Sequence, residues 1–106
     1  MYAIAFDIDT KEAERILGRN WRNCYGSLQT VFAQHRFSGQ QGSLYFGPEG
    51  SNAVDCVLVV QDIDRKYSWF GKIVRDLRMM RVEEQNDLIP ALSTELRFEH
   101  EPLAAS

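Results

Sequence analysis

The stretch that decides the fold is residues 2–8, YAIAFDI. Bulky apolar side chains occupy every second position, at Tyr2, Ile4, Phe6 and Ile8. The side chains between and just beyond them are small or acidic, at Ala3, Ala5, Asp7 and Asp9. A period of two predicts a β-strand that packs one face on a hydrophobic core. The small residues of the other face predict a surface that something else can approach closely.

Two helical segments are expected after this strand. Asp9 and Glu12 have the spacing of a capping box, so a first helix is predicted to begin there and to end near Leu17. Asn20 is expected to cap a second segment that runs to about His35. Asp9 is therefore interpreted chiefly as a helix cap, whereas Asp7 has no such local explanation.

The remaining chain predicts further strands around one more helix. A short strand or bend is expected over residues 37–39 and a clearer strand over 41–46, followed by a helix to about Tyr67. Two more strands are predicted over residues 73–84 and 94–99. This order is the split β-α-β pattern. We therefore predict an α+β, ferredoxin-like βαββαβ sandwich with an extra C-terminal strand, which dimerises through its open sheet face.

Composition and charge indicate a small globular protein. The 106 residues are 44% hydrophobic, which predicts a single domain over residues 1–100 and a flexible tail over 101–106. The net charge of −3 excludes a globally basic nucleic-acid binder, so any such site must be a local patch. Cys24 and Cys56 lack metal-ligand spacing and are expected to be free thiols. No signal peptide or membrane span is recognised, so we expect a cytoplasmic location without membrane association.

Several long stretches resemble the virulence-associated protein D family of bacteria. They are YAIAFDIDT (2–10), QGSLYFG (41–47), NAVDCVLVVQDI (52–63), KYSWF (66–70) and VRDLRMMRVEEQNDLIPAL (74–92). The family is in turn similar to the small ferredoxin-fold ribonucleases associated with CRISPR systems. The shared marks are the strand that ends in Phe6-Asp7-Ile8 and the strand from Gln41 to Tyr45.

The resemblance implies a homodimeric endoribonuclease that is the toxin of a toxin–antitoxin pair with a small protein antitoxin. Single-stranded RNA is the expected substrate, because its bases and backbone are accessible. The alternative is a non-catalytic dimeric binding or scaffold module of the same fold. The acidic composition and the lack of a histidine-centred acid/base pair favour that alternative.

Asp7 matches the family's carboxylate at the end of the first strand, and we expect it to be catalytic. If two open faces pair, the two Asp7 carboxylates approach each other. Like charges held close give a mixed acid/base pair or require a cation, and Mg²⁺ is the cation that carboxylates suit. Asp7 is therefore also the candidate metal ligand. The competing interpretation is a solvated strand end or a carboxylate bonded to nearby backbone.

Four further residues complete the expected site. Ser43 is expected to bind the scissile phosphate or position a water, although a serine in a polar dimer seam is an equal alternative. Arg75 and Arg81 are expected to bind RNA phosphates on one face of their strand. Tyr45 is expected to stack on an unpaired base. For the arginines a solvated, ion-paired surface is the competing interpretation, and for Tyr45 it is packing in the sheet.

Overall fold

The computed structural model describes residues 1–92. Its elements, in chain order, are β1 (Tyr2–Ile8), α1 (Thr10–Leu17), α2 (Asn23–Gln34), β2 (Ser38–Gln41), β3 (Leu44–Phe46), α3 (Ala53–Lys66), α4 (Phe70–Ile73), β4 (Val74–Arg81) and a 3-10 turn (Ile89–Ala91). The four strands form one antiparallel sheet in the order β2-β3-β1-β4. This α+β arrangement is compatible with the predicted ferredoxin-like fold. The last predicted strand, 94–99, and the predicted tail, 101–106, lie outside the described residues.

The core forms where the apolar side of β1 meets the helices, as the alternation predicted. Ile4, Phe6 and Ile8 are almost completely buried. The ring of Phe6 packs edge-on against Phe70 and stacks at 6.1 Å between ring centroids on Phe32 of α2. Each large apolar side chain that is buried here contributes about 1.5–3 kcal/mol to the stability of the fold. Together they hold β1 in the core.

Two helix caps follow the sequence, whereas the predicted cap at Asn20 is wrong, because α2 begins at Asn23 after Arg22 and without a side-chain cap. The Asp9 carboxylate accepts hydrogen bonds from the backbone N–H groups of Lys11 and Glu12, which confirms its predicted role as a helix cap. At α3, Asn52 and Asp55 form a complete capping box, in which each side chain accepts from the backbone of the other. These bonds satisfy N–H groups that a helix start otherwise leaves unpaired.

Two predicted strand boundaries are corrected by the structure. The strand predicted over 41–46 is a hairpin, because a turn at 42–43 separates β2 from β3. The strand predicted over 73–84 is shorter at both ends, and its first position instead closes the single turn of α4.

A buried ion-pair network joins α2 to α3. The Asp62 residue is only 8% exposed, and its carboxylate contacts His35 Nε2 at 2.9 Å and Lys66 Nζ at 3.2 Å. Arg65 donates to the other carboxylate oxygen. The hydrogen bond from His35 is the main cause that holds the pKa of Asp62 below its ordinary value, with Lys66 and Arg65 adding to it. The network therefore links the C-terminal end of α2 to the C-terminal half of α3.

Replacement of Asp62 by asparagine is expected to lower the free energy of unfolding at neutral pH. Because the folded state lowers the Asp62 pKa, the carboxylate stabilises the fold above about pH 4, the ordinary carboxyl range. That contribution is lost as the pH falls through the lowered folded-state pKa. Urea denaturation of wild type and Asp62→Asn should therefore differ near neutrality and converge in strong acid. The exposed Asp64→Asn is the control, and an acid-independent difference would contradict the prediction.

Both cysteines are free and buried, in agreement with the expectation from the sequence. Burial raises the pKa of the Cys24 and Cys56 thiols, so both remain protonated at neutral pH. Among the helices of residues 1–92, none is both long enough and apolar enough to cross a membrane.

Candidate active site at one end of the sheet

The C-terminal end of β1 meets the beginnings of both neighbouring strands. This follows because β1 pairs antiparallel with β3 and with β4. Asp7 is the last exposed residue of β1, and 56% of its side chain is accessible. The same end of the sheet carries Ser43, just before β3, and Arg75, near the start of β4. Three of the five residues predicted for the site therefore lie at the same end of the sheet.

Asp7 and Arg75 form an ion pair that includes two hydrogen bonds. The Nε and Nη2 atoms of Arg75 donate to one Asp7 oxygen, at 3.1 and 2.7 Å. The ordinary register of β1 and β4 shifts here, since Asp7 pairs with Asp76 but Ile8 pairs with Val74. Arg75 is thus the extra residue of a β-bulge, a device that re-aims a side chain. The hydrogen bonds that Arg75 donates to Asp7 are the main cause that raises the pKa of Arg75.

A second carboxylate, which the sequence reasoning missed, lies directly across from Asp7. Asp76 is its partner in the register, so both side chains are on the same face. Like charges placed opposite each other repel, and each has its own guanidinium: Arg75 for Asp7, and Arg78, at 3.0 Å, for Asp76. The only sequence signal for this neighbour is the antiparallel pairing itself, which a single strand does not reveal.

Ser43 approaches this end of the sheet through its backbone. Its carbonyl oxygen accepts a hydrogen bond of 3.1 Å from the N–H of Phe6, the residue before Asp7. Ser43 belongs to the turn at 42–43, whereas the sequence predicted it within a strand. Its side chain is half-buried. The residue therefore lies close to Asp7 along the sheet, although its hydroxyl is not held by the regular strand geometry that was predicted.

Tyr45 and Arg81 do not join Asp7 at this end of the sheet. Tyr45 is 5% exposed, and its ring stacks on Phe32 with 3.9 Å between ring centroids, so it packs in the core. Arg81 pairs in register with Tyr2, at the opposite end of β1 from Asp7, and bonds Glu83. Five residues of strand separate the two ends by roughly 17 Å.

The carboxylates Asp7 and Asp76 are the candidate metal ligands at this end of the sheet. Within residues 1–92, no group of three or more histidine, cysteine, aspartate or glutamate side chains lies close enough to hold an ion. The two neighbouring carboxylates, Asp7 and Asp76, are each engaged by an arginine. Mg²⁺ takes oxygen ligands and keeps several waters, so Asp7 and Asp76 are the carboxylates at this end of the sheet that could contribute to such a site.

The sequence is similar to those of known endoribonucleases. No family model matches the chain. The chain is 45% identical over 94 residues to Endoribonuclease VapD 2 of Riemerella anatipestifer, covering 88% of this chain and 100% of that protein. It is 43% identical over 95 residues to the Endoribonuclease VapD homolog of Helicobacter pylori, covering 87% and 96%.

A third relative is less similar in sequence. Endoribonuclease VapD of Helicobacter pylori is 30% identical over 87 residues, covering 82% of this chain and 93% of that protein. The matches thus extend over nearly the whole length of each relative, and they confirm the resemblance inferred from the quoted stretches. The chain belongs to the VapD family of proteins.

Proposed function

We propose that this protein is an endoribonuclease whose active site is built around Asp7. The single observation that supports this site best is the exposed Asp7–Arg75 pair, held at a β-bulge at one end of the sheet. The family relation supports the activity, since the relatives are named endoribonucleases. An arginine fork is suited to phosphate, and a carboxylate is suited to accept a proton.

The proposed reaction uses the RNA's own 2′-hydroxyl as nucleophile. Arg75 turns from Asp7 to the scissile phosphate and neutralises the charge that develops there. Asp7, freed from the guanidinium, accepts the hydroxyl proton while the oxygen attacks phosphorus. The bond to the 5′-oxygen breaks, and that oxygen takes up a proton. The products are a 2′,3′-cyclic phosphate and a 5′-hydroxyl. Ser43 contributes at this end of the sheet as a further phosphate contact.

A homodimer supplies the second acid that this reaction needs. The face opposite the helices, here called the open face, carries Ala3 and Ala5 of β1 and the partly exposed Leu44, Phe46 and Met80 beside them. Two open faces that pack together bring two Asp7 carboxylates near one site. One is then ionised and accepts the proton, while the other is protonated and donates to the leaving oxygen.

The cellular role and the metal requirement are parts of the same proposal. The family resemblance supports a cytoplasmic toxin that is neutralised by a small protein antitoxin. If Mg²⁺ is required, Asp7 of the two subunits would hold it, and the ion would supply an activated water as an alternative nucleophile.

The test compares two arginines of the same strand. Arg75→Met should slow cleavage of a mixed-sequence single-stranded RNA by about 100-fold, the effect of removing one charge-stabilising donor. Arg81→Met should cleave at nearly the wild-type rate, since Arg81 lies at the other end of β4. Methionine preserves much of the apolar stem in both variants. Gel analysis of end-labelled RNA measures the rates, and the chemistry of the product ends identifies the nucleophile.

The controls decide between activity and contamination. Each protein is purified identically, and ultracentrifugation establishes that the variants have the same mass in solution as wild type. Reactions are run with Mg²⁺ and with chelator. Equal rates for the three proteins would place the activity outside the Asp7 site or in a contaminant. Absence of cleavage by all three would favour the non-catalytic binding module.

A further inference from the structure

A pocket of about 260 Å³ lies between α2 and the β2–β3 hairpin. Its polar groups come from two tyrosines, Tyr25 and Tyr45, and from three glutamines, Gln29, Gln40 and Gln41. Gly26 and Gly42 also line it, and a side chain added at either glycine would begin in open space, with no atom within 4 Å of its first carbon. The lining is therefore uncharged and combines polar with apolar surface.

The pocket lies on the helix side of the sheet, at the same end of β1 as Asp7, whose side chain is on the open face. The register pairs Ala5 with Leu44, and the Phe6 N–H bonds the Ser43 carbonyl, which places Gly42 beside Asp7 along the sheet. Neighbouring strands are about 4.8 Å apart, so the pocket begins one strand away from Asp7. Tyr25 is close enough that the charge of Asp7, after burial and Cys24, helps to raise the pKa of its phenol.

The chemistry of the lining fits a nucleobase better than a phosphate. Each glutamine amide carries both donors and an acceptor, the complement of the donor and acceptor pattern on a base edge. Tyr25 is half-buried and offers a ring for stacking, and unpaired bases are recognised through stacking together with bonds to their edges. No charged side chain is among the residues that line the pocket, whereas the guanidinium of Arg75 is at the Asp7 site.

We propose that this pocket binds one unpaired nucleobase next to the scissile phosphate and thereby sets the sequence preference of cleavage. The effect on cleavage rests on the proposed function, but binding of a base by the glutamines does not. The pocket is smaller than the usual cavity for a drug-sized ligand, and it suits a single base.

A leucine at Gly26 is the sharpest way to block the pocket. Gly26 lies inside α2, where leucine is a better helix former than glycine, so the substitution should not impair folding. The matched control is Ala33→Leu, which adds a leucine to an exposed position of the same helix that does not line the pocket. Circular dichroism on both variants checks that the helix content is preserved.

The first readout is the sequence at each cleavage site in a library of randomised short RNAs. Wild type is expected to prefer particular bases beside the cut. Gly26→Leu should reduce the rate at the preferred sites by about tenfold and flatten the preference, as loss of one recognition contact does. Ala33→Leu should retain the preference. A wild type that cuts without preference, or a Gly26→Leu protein that keeps the wild-type preference, overturns the proposal.

The second readout needs no cleavage. The side-chain amide NMR signals of Gln29, Gln40 and Gln41 are followed while the four nucleoside 5′-monophosphates are added separately, with ribose 5-phosphate as the baseless probe. Shifts caused by nucleotides alone, and weakened in Gly26→Leu, support the pocket. Shifts caused equally by ribose 5-phosphate, or no shifts, overturn it. Cleavage that depends on Asp7 while the amides do not shift would defeat this inference and leave the proposed function standing.

Discussion

An Asp7→Asn protein is expected to cleave RNA roughly 100- to 10,000-fold more slowly than wild type, the range for loss of a general acid–base group. Asparagine has nearly the same shape as aspartate, and its amide oxygen can still accept from Arg75. It cannot take up the proton of an attacking hydroxyl. Because Asp7 is exposed and lies at a strand end, the substitution should leave the fold intact. Initial rates on single-stranded RNA, over a range of enzyme concentrations, measure the effect.

The matched control is Asp64→Asn, the same chemical change at an exposed position of α3. Its rate should equal that of wild type. If Asp64→Asn and Asp7→Asn lose activity equally, the effect is a general change in charge and not the loss of a catalytic group. If neither loses activity, Asp7 is not catalytic and the site must be sought elsewhere on the chain.

Mixing the two proteins tests whether the site is shared between subunits. An excess of Asp7→Asn chains should draw wild-type chains into mixed dimers, each with only one Asp7 carboxylate. If both carboxylates are needed, activity per wild-type chain falls as the variant is added. If each Asp7 acts alone, activity per wild-type chain stays constant, and the proposal of one site with two acids is contradicted.

The sequence predicted the parts of the fold that local patterns specify. The alternation in residues 2–8 correctly assigned the buried face of β1, and the cap at Asp9 correctly marked the start of α1. These features depend on residues that are close in sequence, so one chain contains all of the information. Asp7 is exposed between the buried Phe6 and Ile8, as the alternation predicted.

What the sequence did not predict depends on pairing between distant segments. The bulge that brings Arg75 to Asp7 is a property of β1 and β4 together, and a regular strand would have grouped Arg75 with Arg81. The meeting of Asp7 with Asp76 has the same origin. Tyr45 was ambiguous from the sequence, because an aromatic residue in a strand suits both stacking on a base and packing in a core.

The second large effect is expected in the core, for Phe32→Ala. Phe32 is completely buried, and its ring stacks on Tyr45 at 3.9 Å and lies 6.1 Å from Phe6 and from Phe37, measured between ring centroids. Truncation to alanine removes these contacts and leaves a cavity, which typically costs about 3–5 kcal/mol. Domains of this size are stable by only about 5–15 kcal/mol, so much of the total stability would be lost.

Urea denaturation followed by circular dichroism measures this loss, with Leu88→Ala as the control. Leu88 is 74% exposed, so its truncation should change the free energy of unfolding by less than about 0.5 kcal/mol. A loss at Phe32 no larger than that at Leu88 would contradict the packing described for the core.

Because Phe6 and Tyr45 belong to the strands that position Asp7 and Ser43, RNA cleavage by Phe32→Ala should also fail at a lower temperature than in wild type. Below that temperature the folded fraction should cleave at the wild-type rate, since Phe32 is buried in the core and does not contact RNA.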